Sequence, residues 1–420
     1  METPGHINQL VEHLFRHESG RLVTVLTHVF GLHNMELAED VVQETMMDAL
    51  NIWPYKGVPD NPQGWLFAVA RNKAINLLKR EKLTGNHSAV LSALYSTRNE
   101  EEFFSEQEIA DSQLRMMFAC CHPSISPDSQ VALILKTLCG FSIPEIAQAF
   151  ITSAENINKR LVRARKDIRH SEIQLEIPAS SELKPRLSAV VEAIYLLFNE
   201  GYHASQGDKV IRHDLCIEAI RLARLLEQNK VGKVHDVYAL LALMFFNASR
   251  FDARLDESGA ISLLNLQDRT LWDKGMIALG YYYMENASVS EHLSLYYILA
   301  AISAQHCSAE SYSDTNWQQI VVLYDYLLEL QNSPVNQLNR VVALVEAGRI
   351  SEALSEIKRL SANVQLNNYY PLYAVRAEIL MKNEKWQEAI ADLSTAINLC
   401  SNNSVKELLI SKLGMVKENV

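Results

Sequence analysis

Lys159, Arg160, Arg163, Arg165, Lys166 and Arg169 crowd the second half of GFSIPEIAQAFITSAENINKRLVRARKDIR, residues 140–169, in a chain whose formal net charge is -11. Cations clustered in this way neutralise phosphates, and arginine and asparagine can also pair with guanine and adenine edges. The apolar residues give these side chains a frame. Ile143, Ile146, Ala147 and Phe150 form one face of a short first helix, with Ser142 as its cap and Pro144 in its first turn. Thr152 and Ser153 make a turn, and Ile157, Leu161, Ala164 and Ile168 repeat at helical spacing on a second helix. Asn156, Asn158, Lys159, Arg160 and Arg163 then fall on its outer surface. This is helix-turn-helix grammar, in which one helix crosses the backbone and the next enters the major groove. The alternative is a solvated basic helix in an ordinary bundle.

A second group of residues has complementary chemistry. AEDVVQETMMDAL, residues 38–50, reads as an acidic helix with Val41, Val42, Thr45 and Met46 on its apolar side. After a turn-rich stretch from Trp53, PQGWLFAVARNKAINLLKR, residues 62–80, buries Leu66, Val69, Ala70, Ile75 and Leu78 and exposes Arg71, Lys73, Lys79 and Arg80. A loop over Trp53–Gln63 followed by Trp65 combines aromatic surface with flanking positive charge, the chemistry that holds splayed bases by stacking and phosphate contact. Trp65 is equally suited to a core.

The elements that position these residues are all helical. Helix-period patterns recur along the 420 residues and strand signals are nearly absent, so the fold class expected is all-α. The expected domains are residues 1–82, ending in a basic helix; an acidic linker, 83–111; the helix-turn-helix unit, 112–172; a connector, 173–184; and a long helical zone, 185–420. Near its end that zone repeats itself weakly: Glu352-Ala353-Leu354 and Glu388-Ala389-Ile390 each follow a helix and a turn, about one tetratricopeptide period apart. No apolar run is long enough to span a bilayer, and METPGHINQL lacks the pattern of a signal peptide, so the expected location is the cytoplasm. The acidic total argues against coating nucleic acid by bulk charge but leaves room for a local basic surface. Cys120-Cys121-His122 has no second Cys/His pair at zinc-finger spacing, and buried thiols are the expectation there rather than a metal. No nucleophile–base pair points to an enzyme, and no cofactor is expected.

Taken in order, AEDVVQETMMDAL, PQGWLFAVARNKAINLLKR and GFSIPEIAQAF…RLVRARKDIR resemble regions 2 and 4 of sigma-70 family factors of the extracytoplasmic-function group. IYLLFNEGYHAS with RHDLCIEAIRLARLL, QDRTLWDKG, DTNWQQIVVLYDYLL and SPVNQLNRVVAL resemble the subgroup with a long C-terminal helical-repeat extension. The resemblance implies two partners, core RNA polymerase and promoter DNA. Asp40, Val41, Val42, Gln43 and Glu44 would dock on polymerase, with exposed polar residues beside buried valines satisfying both docking and folding. Trp65, Arg71, Asn72, Lys73, Lys79 and Arg80 would capture the unstacked −10 strand, although Asn76 stands where many relatives carry Asp. In the −35 helix, Glu155, Asn156, Asn158, Lys159 and Arg160 occupy the half presented to bases, and Arg163, Arg165 and Lys166 suit phosphates. The extension would regulate activity, with a protein or peptide partner on its surface. Its polar and aromatic residues, among them Asp268, Arg269, Trp272, Asp273 and Arg340, suit either such a surface or helix caps and inter-helix bonds. The competing reading is a helix-turn-helix regulator with a ligand-binding helical domain, which has no reason to carry the 38–80 segment.

Overall fold

The computed structural model of the chain describes residues 4–81, 106–150, 152–171, 173–178, 180–202, 211–256, 261–288 and 293–418. Among them every named element is a helix, and one isolated antiparallel bridge joins Leu255 to Ile261. The fold is all-α, as the periodicity implies. It divides into two compact units, one comprising Met1–Leu197 with Ile217–Val231, the other Phe198–Cys216 with Gly232–Val420.

In the first unit α1 (Pro4–Phe30) packs against α2 (Met35–Lys56), α3 (Pro62–Glu81) and α4 (Glu106–Cys120). Leu22, Leu26, Val41, Val42, Trp53 and Leu66 are buried in its core. Gly57, at φ +83°, ends α2 in the left-handed region, and its N–H donates to the Trp53 carbonyl at 2.9 Å. The stretch read as a loop from Trp53 is therefore helical through Lys56. Residues 106–111 of the expected linker belong to α4, and 82–105 lie outside the described residues.

The unit continues with α5 (Pro127–Thr137), α6 (Ile143–Ala149) and α7 (Ala154–His170), the last packed on α5 and α6. Ser142 and Glu145 form a reciprocal capping box at α6: the Ser142 N–H donates to the Glu145 carboxylate at 2.8 Å, and the Glu145 N–H to Ser142 Oγ at 3.4 Å. Ser153 Oγ caps α7 by accepting from the Asn156 N–H at 3.2 Å. Ile157, Leu161, Ala164 and Ile168 are its buried residues, the stripe that the spacing predicts. Cys120 and Cys121 are buried, and burial pushes the Cys120 thiol up to about 12, so it stays protonated. Two further helices, α8 (Ser180–Tyr202) and α9 (His213–Gln228), each contribute to both units. Within the first unit, Arg221 of α9 donates to Gln113 of α4 at 3.0 Å and to Glu218 at 2.7 Å.

In the second unit successive helices pack on their sequence neighbours: α10 (His235–Ala248), α11 (Lys274–Ala287), α12 (Leu295–Ser308), α13 (Trp317–Leu330), α14 (Pro334–Glu346), α15 (Ile350–Leu360), α16 (Tyr370–Lys382), α17 (Trp386–Leu399) and α18 (Asn403–Lys417). That is solenoid construction. The pair α14–α15 recurs as α16–α17 with an offset of 36 residues (370 − 334 and 386 − 350). Gly348 and Glu384 hold the same left-handed turn, at φ +76° and +58°. Arg340 bridges Asp325 and Glu356, each at 2.6 Å, and Arg376 grips Asp392 at 2.5 and 2.6 Å. Asp268 and Asp273 cap the turns that follow them, and Arg269 donates to the carbonyls of His306 at 2.6 Å and Ala309 at 2.7 Å. Those polar residues are committed to local architecture. Among the described residues no helix is long and apolar enough to cross a membrane.

Candidate nucleic-acid interface

On α2, Val41 and Val42 are each only 1% exposed and belong to the core, whereas Asp40, Gln43 and Glu44 face outward. The helix thus presents polar side chains over a rigid apolar base. Met47, one turn beyond Gln43 and Glu44, is 55% exposed and adds an apolar contact to that face. Sequence reasoning passed over it because it abuts Met46, which is buried. The 3.6-residue period separates the two, since neighbours on a helix point about 100° apart.

The aromatic chemistry ahead of α3 is distributed differently from the sequence expectation. Trp53 is buried and meets Trp65 edge to face at 5.4 Å, leaving Trp65 half-buried. Tyr55, in the last turn of α2, is 89% exposed and supplies the free aromatic face instead. The signal was present in its placement between Pro54 and the basic Lys56. The start of α3 is fixed by Gln63, whose amide donates to the buried Glu18 carboxylate of α1 at 2.7 Å, and by Asn61, which accepts from the Gly64 N–H at 2.9 Å. Along α3, Arg71 is half-buried and Asn72 exposed. Lys73 is tied to Glu44 at 3.2 Å and Asp48 at 3.0 Å. Desolvation opposes its charge, but hydrogen bonds to Asp48 and Glu44 hold its pKa above the ordinary lysine value. Lys79 and Arg80 fall in α3, their side chains outside the described residues.

The basic helix α7 divides along its length. Glu155, Asn156, Asn158 and Lys159 are exposed in its first turns, with Lys159 paired to Glu155 at 2.7 Å, and Arg163 and Lys166 continue the exposed face. Arg160 turns inward: it meets Asp128 at 3.2 Å and stacks over Phe150 at 5.2 Å. Arg165 also turns away, donating to Glu39 of α2 at 2.7 Å and lying 3.8 Å from Glu36. Arg169 meets Glu36 at 3.0 Å. Burial raises the Glu39 pKa above the ordinary carboxylate value, against the pull of Arg165 and Lys136. The outward set can reach base edges and phosphates, while the inward set organises the domain.

Residues 14–84 match Sigma-70 region 2, residues 115–168 match Sigma-70, region 4, and residues 186–288 match a family of unknown function (DUF6596). An uncharacterized protein of Rhizobium meliloti is 35% identical over 374 residues, covering 88% of this chain and 88% of that protein. No solved structure matches the chain.

Proposed function

Because the chain belongs to the sigma-70 family of transcription initiation factors, in an ECF-like form with a C-terminal extension, we propose a residue-level division of labour for it. The exposed face of α2, Asp40, Gln43 and Glu44 with Met47, docks core RNA polymerase. The α2–α3 corner, with Tyr55, Trp65, Arg71 and Asn72, holds non-template bases of the −10 element once they unstack. Lys73, Lys79 and Arg80 contribute charge along the same helix. The first turns of α7 read the −35 duplex through Glu155, Asn156, Asn158 and Lys159, while Arg163 and Lys166 contact phosphates. Arg160 supports the reading face from behind through Asp128 and Phe150.

The observation that carries this reading is the geometry of α7: a capped, amphipathic helix whose buried stripe packs within the first unit, leaving Glu155, Asn156, Asn158, Lys159, Arg163 and Lys166 outward. Unstacking bases costs a few kcal/mol per step. Contacts available only to the open strand offset that cost, so melting requires no nucleotide hydrolysis by this protein. The extension regulates the chain through a peptide or protein partner, and the protein acts in the cytoplasm beside polymerase and chromosome. The test is reconstitution with core polymerase and run-off transcription on promoter fragments recovered by the complex. Transcription only with the protein present is expected. Duplex binding without any polymerase dependence would sink the reading.

A further inference from the structure

Arginines on the later helices of the second unit meet carboxylates: Arg340 pairs with Asp325 and Glu356, Arg349 with Glu352 and Arg376 with Asp392. Arg250, two residues past the end of α10, meets none among the described residues. Its surroundings hold it in place all the same. The Asp273 N–H donates to the Ser249 carbonyl at 2.8 Å, which joins the end of α10 to the start of α11, and the Arg250 guanidinium lies over the Trp272 ring at 5.1 Å. Its Nε donates to Gln267 Oε1 at 3.3 Å, and the Gln267 amide nitrogen is itself anchored on the Ser262 carbonyl at 3.1 Å. The guanidinium is thus fixed by its stacking contact and its inner nitrogen. Its two terminal nitrogens, the forked pair that matches two oxygens of one anion, have no partner among the described residues.

A second guanidinium shares the ring. Arg269 lies over Trp272 at 4.7 Å, so the two cations are no further apart than the two distances together. Arg269 spends its bonds on the carbonyls of His306 and Ala309 and on Thr315 Oγ1, and the C-terminal end of α12 offsets part of its charge. Both charges reach the same neighbour: burial first, then Arg250 and Arg269, push the His306 pKa down to about 3, so its imidazole is neutral. Trp272 is 4% exposed, yet its buried indole N–H has no acceptor among the described residues, and His306 Nδ1 has no partner there either. Buried polar atoms of this kind are costly unless something supplies the missing bond. We infer that Arg250, backed by Arg269 and Trp272, is a receptor site in the extension for an oxyanion group, the phosphate or carboxylate of a small molecule. The terminal nitrogens of Arg250 grip two of its oxygens, and the charge of Arg269 adds to the attraction. Arg250 is only half-buried, so a ligand reaches it from solvent. Leu266 and Leu271, exposed on the same turn, offer apolar contact to the carbon skeleton of an organic ligand. The inference goes beyond the DNA and polymerase roles and does not depend on them.

The test titrates the full chain with inorganic phosphate and, separately, with succinate, at an ionic strength held constant with chloride, and follows binding by calorimetry. Wild type should take up at least one of the two anions at a site that Arg250→Ala weakens at least about tenfold, because a charge-assisted fork is lost. Arg250→Lys keeps the charge and most of the stem against Trp272, so it probes the fork in a chain whose packing is preserved, and it should also weaken binding, by less. Arg163→Ala, on the outward face of α7, controls for anions held by the DNA-reading surface and should leave the Arg250 site as tight as in wild type. Uptake of phosphate alone assigns a phosphoryl group, succinate alone a carboxylate, and both a site that reads only the forked oxygens. Uptake of neither, uptake that survives both Arg250 variants, or uptake lost only with Arg163 overturns the inference. Run-off transcription judges the functional reading separately, and no outcome of the titration bears on it.

Discussion

The guanidinium of Arg376 and that of Arg165 each grip a carboxylate on another helix, but the two pairs differ in every other respect. Arg376 reaches Asp392 sixteen positions ahead through two hydrogen bonds, and a third goes to Ser361 at 3.0 Å. The arrangement echoes Arg340 with Glu356, one repeat earlier. Arg165 reaches Glu39, 126 positions away, with one hydrogen bond among the described residues, where buried polar atoms on both partners go unmatched. A bond between sequence neighbours within a repeat forms with the repeat and stays. A bond between helices far apart in sequence forms only once the chain has brought them together, and here it is the less completely satisfied of the two. Geometry and sequence separation, rather than the chemistry of the pair, distinguish the two contacts.

Removing the arginine of the repeat tests the difference and carries the largest expected effect. Arg376→Ala leaves Asp392, only 6% exposed, buried without its cation. Stranding a buried charge in this way costs about 3 kcal/mol, visible as an earlier urea transition of the second unit. Duplex binding by the free chain should keep its salt slope. A changed slope would show that the two kinds of pair are not independent.

Residues that carry no ion pair among the described residues sharpen the contrast from the other side. Tyr55→Ala removes an aromatic ring that is 89% exposed, so stability should stay within about 0.5 kcal/mol of wild type. Loss of one base stack is worth about 1–3 kcal/mol, and strand opening probed by permanganate reactivity at the −10 element should fall accordingly. Full opening by the variant would remove Tyr55 from the capture role and leave Trp65 as its aromatic member. Met47→Ala should weaken core-polymerase binding by about 1 kcal/mol, measured by competition against wild type, with duplex affinity unaffected. Arg163→Ala should flatten the salt slope of −35 binding by about 0.9, the loss of one phosphate contact. It should leave polymerase association intact, and equal loss of both would mean a disturbed α7.

What the sequence made legible follows the same boundary between local and distant. The stripe Ile157, Leu161, Ala164 and Ile168 and the Ser153 cap are set by spacing within a few turns, and both are as expected. The repeat was visible in Glu352-Ala353-Leu354 and Glu388-Ala389-Ile390, and the shared left-handed turn at Gly348 and Glu384 fixes its offset at 36 residues (384 − 348). The inward turn of Arg165 was not legible, because its partner Glu39 lies on a helix folded from another part of the chain. Nor was the exchange between Trp65 and Tyr55. A tryptophan and a tyrosine near a turn look alike in one dimension, and only the continuation of α2 through Lys56 buries Trp53 while leaving Tyr55 exposed.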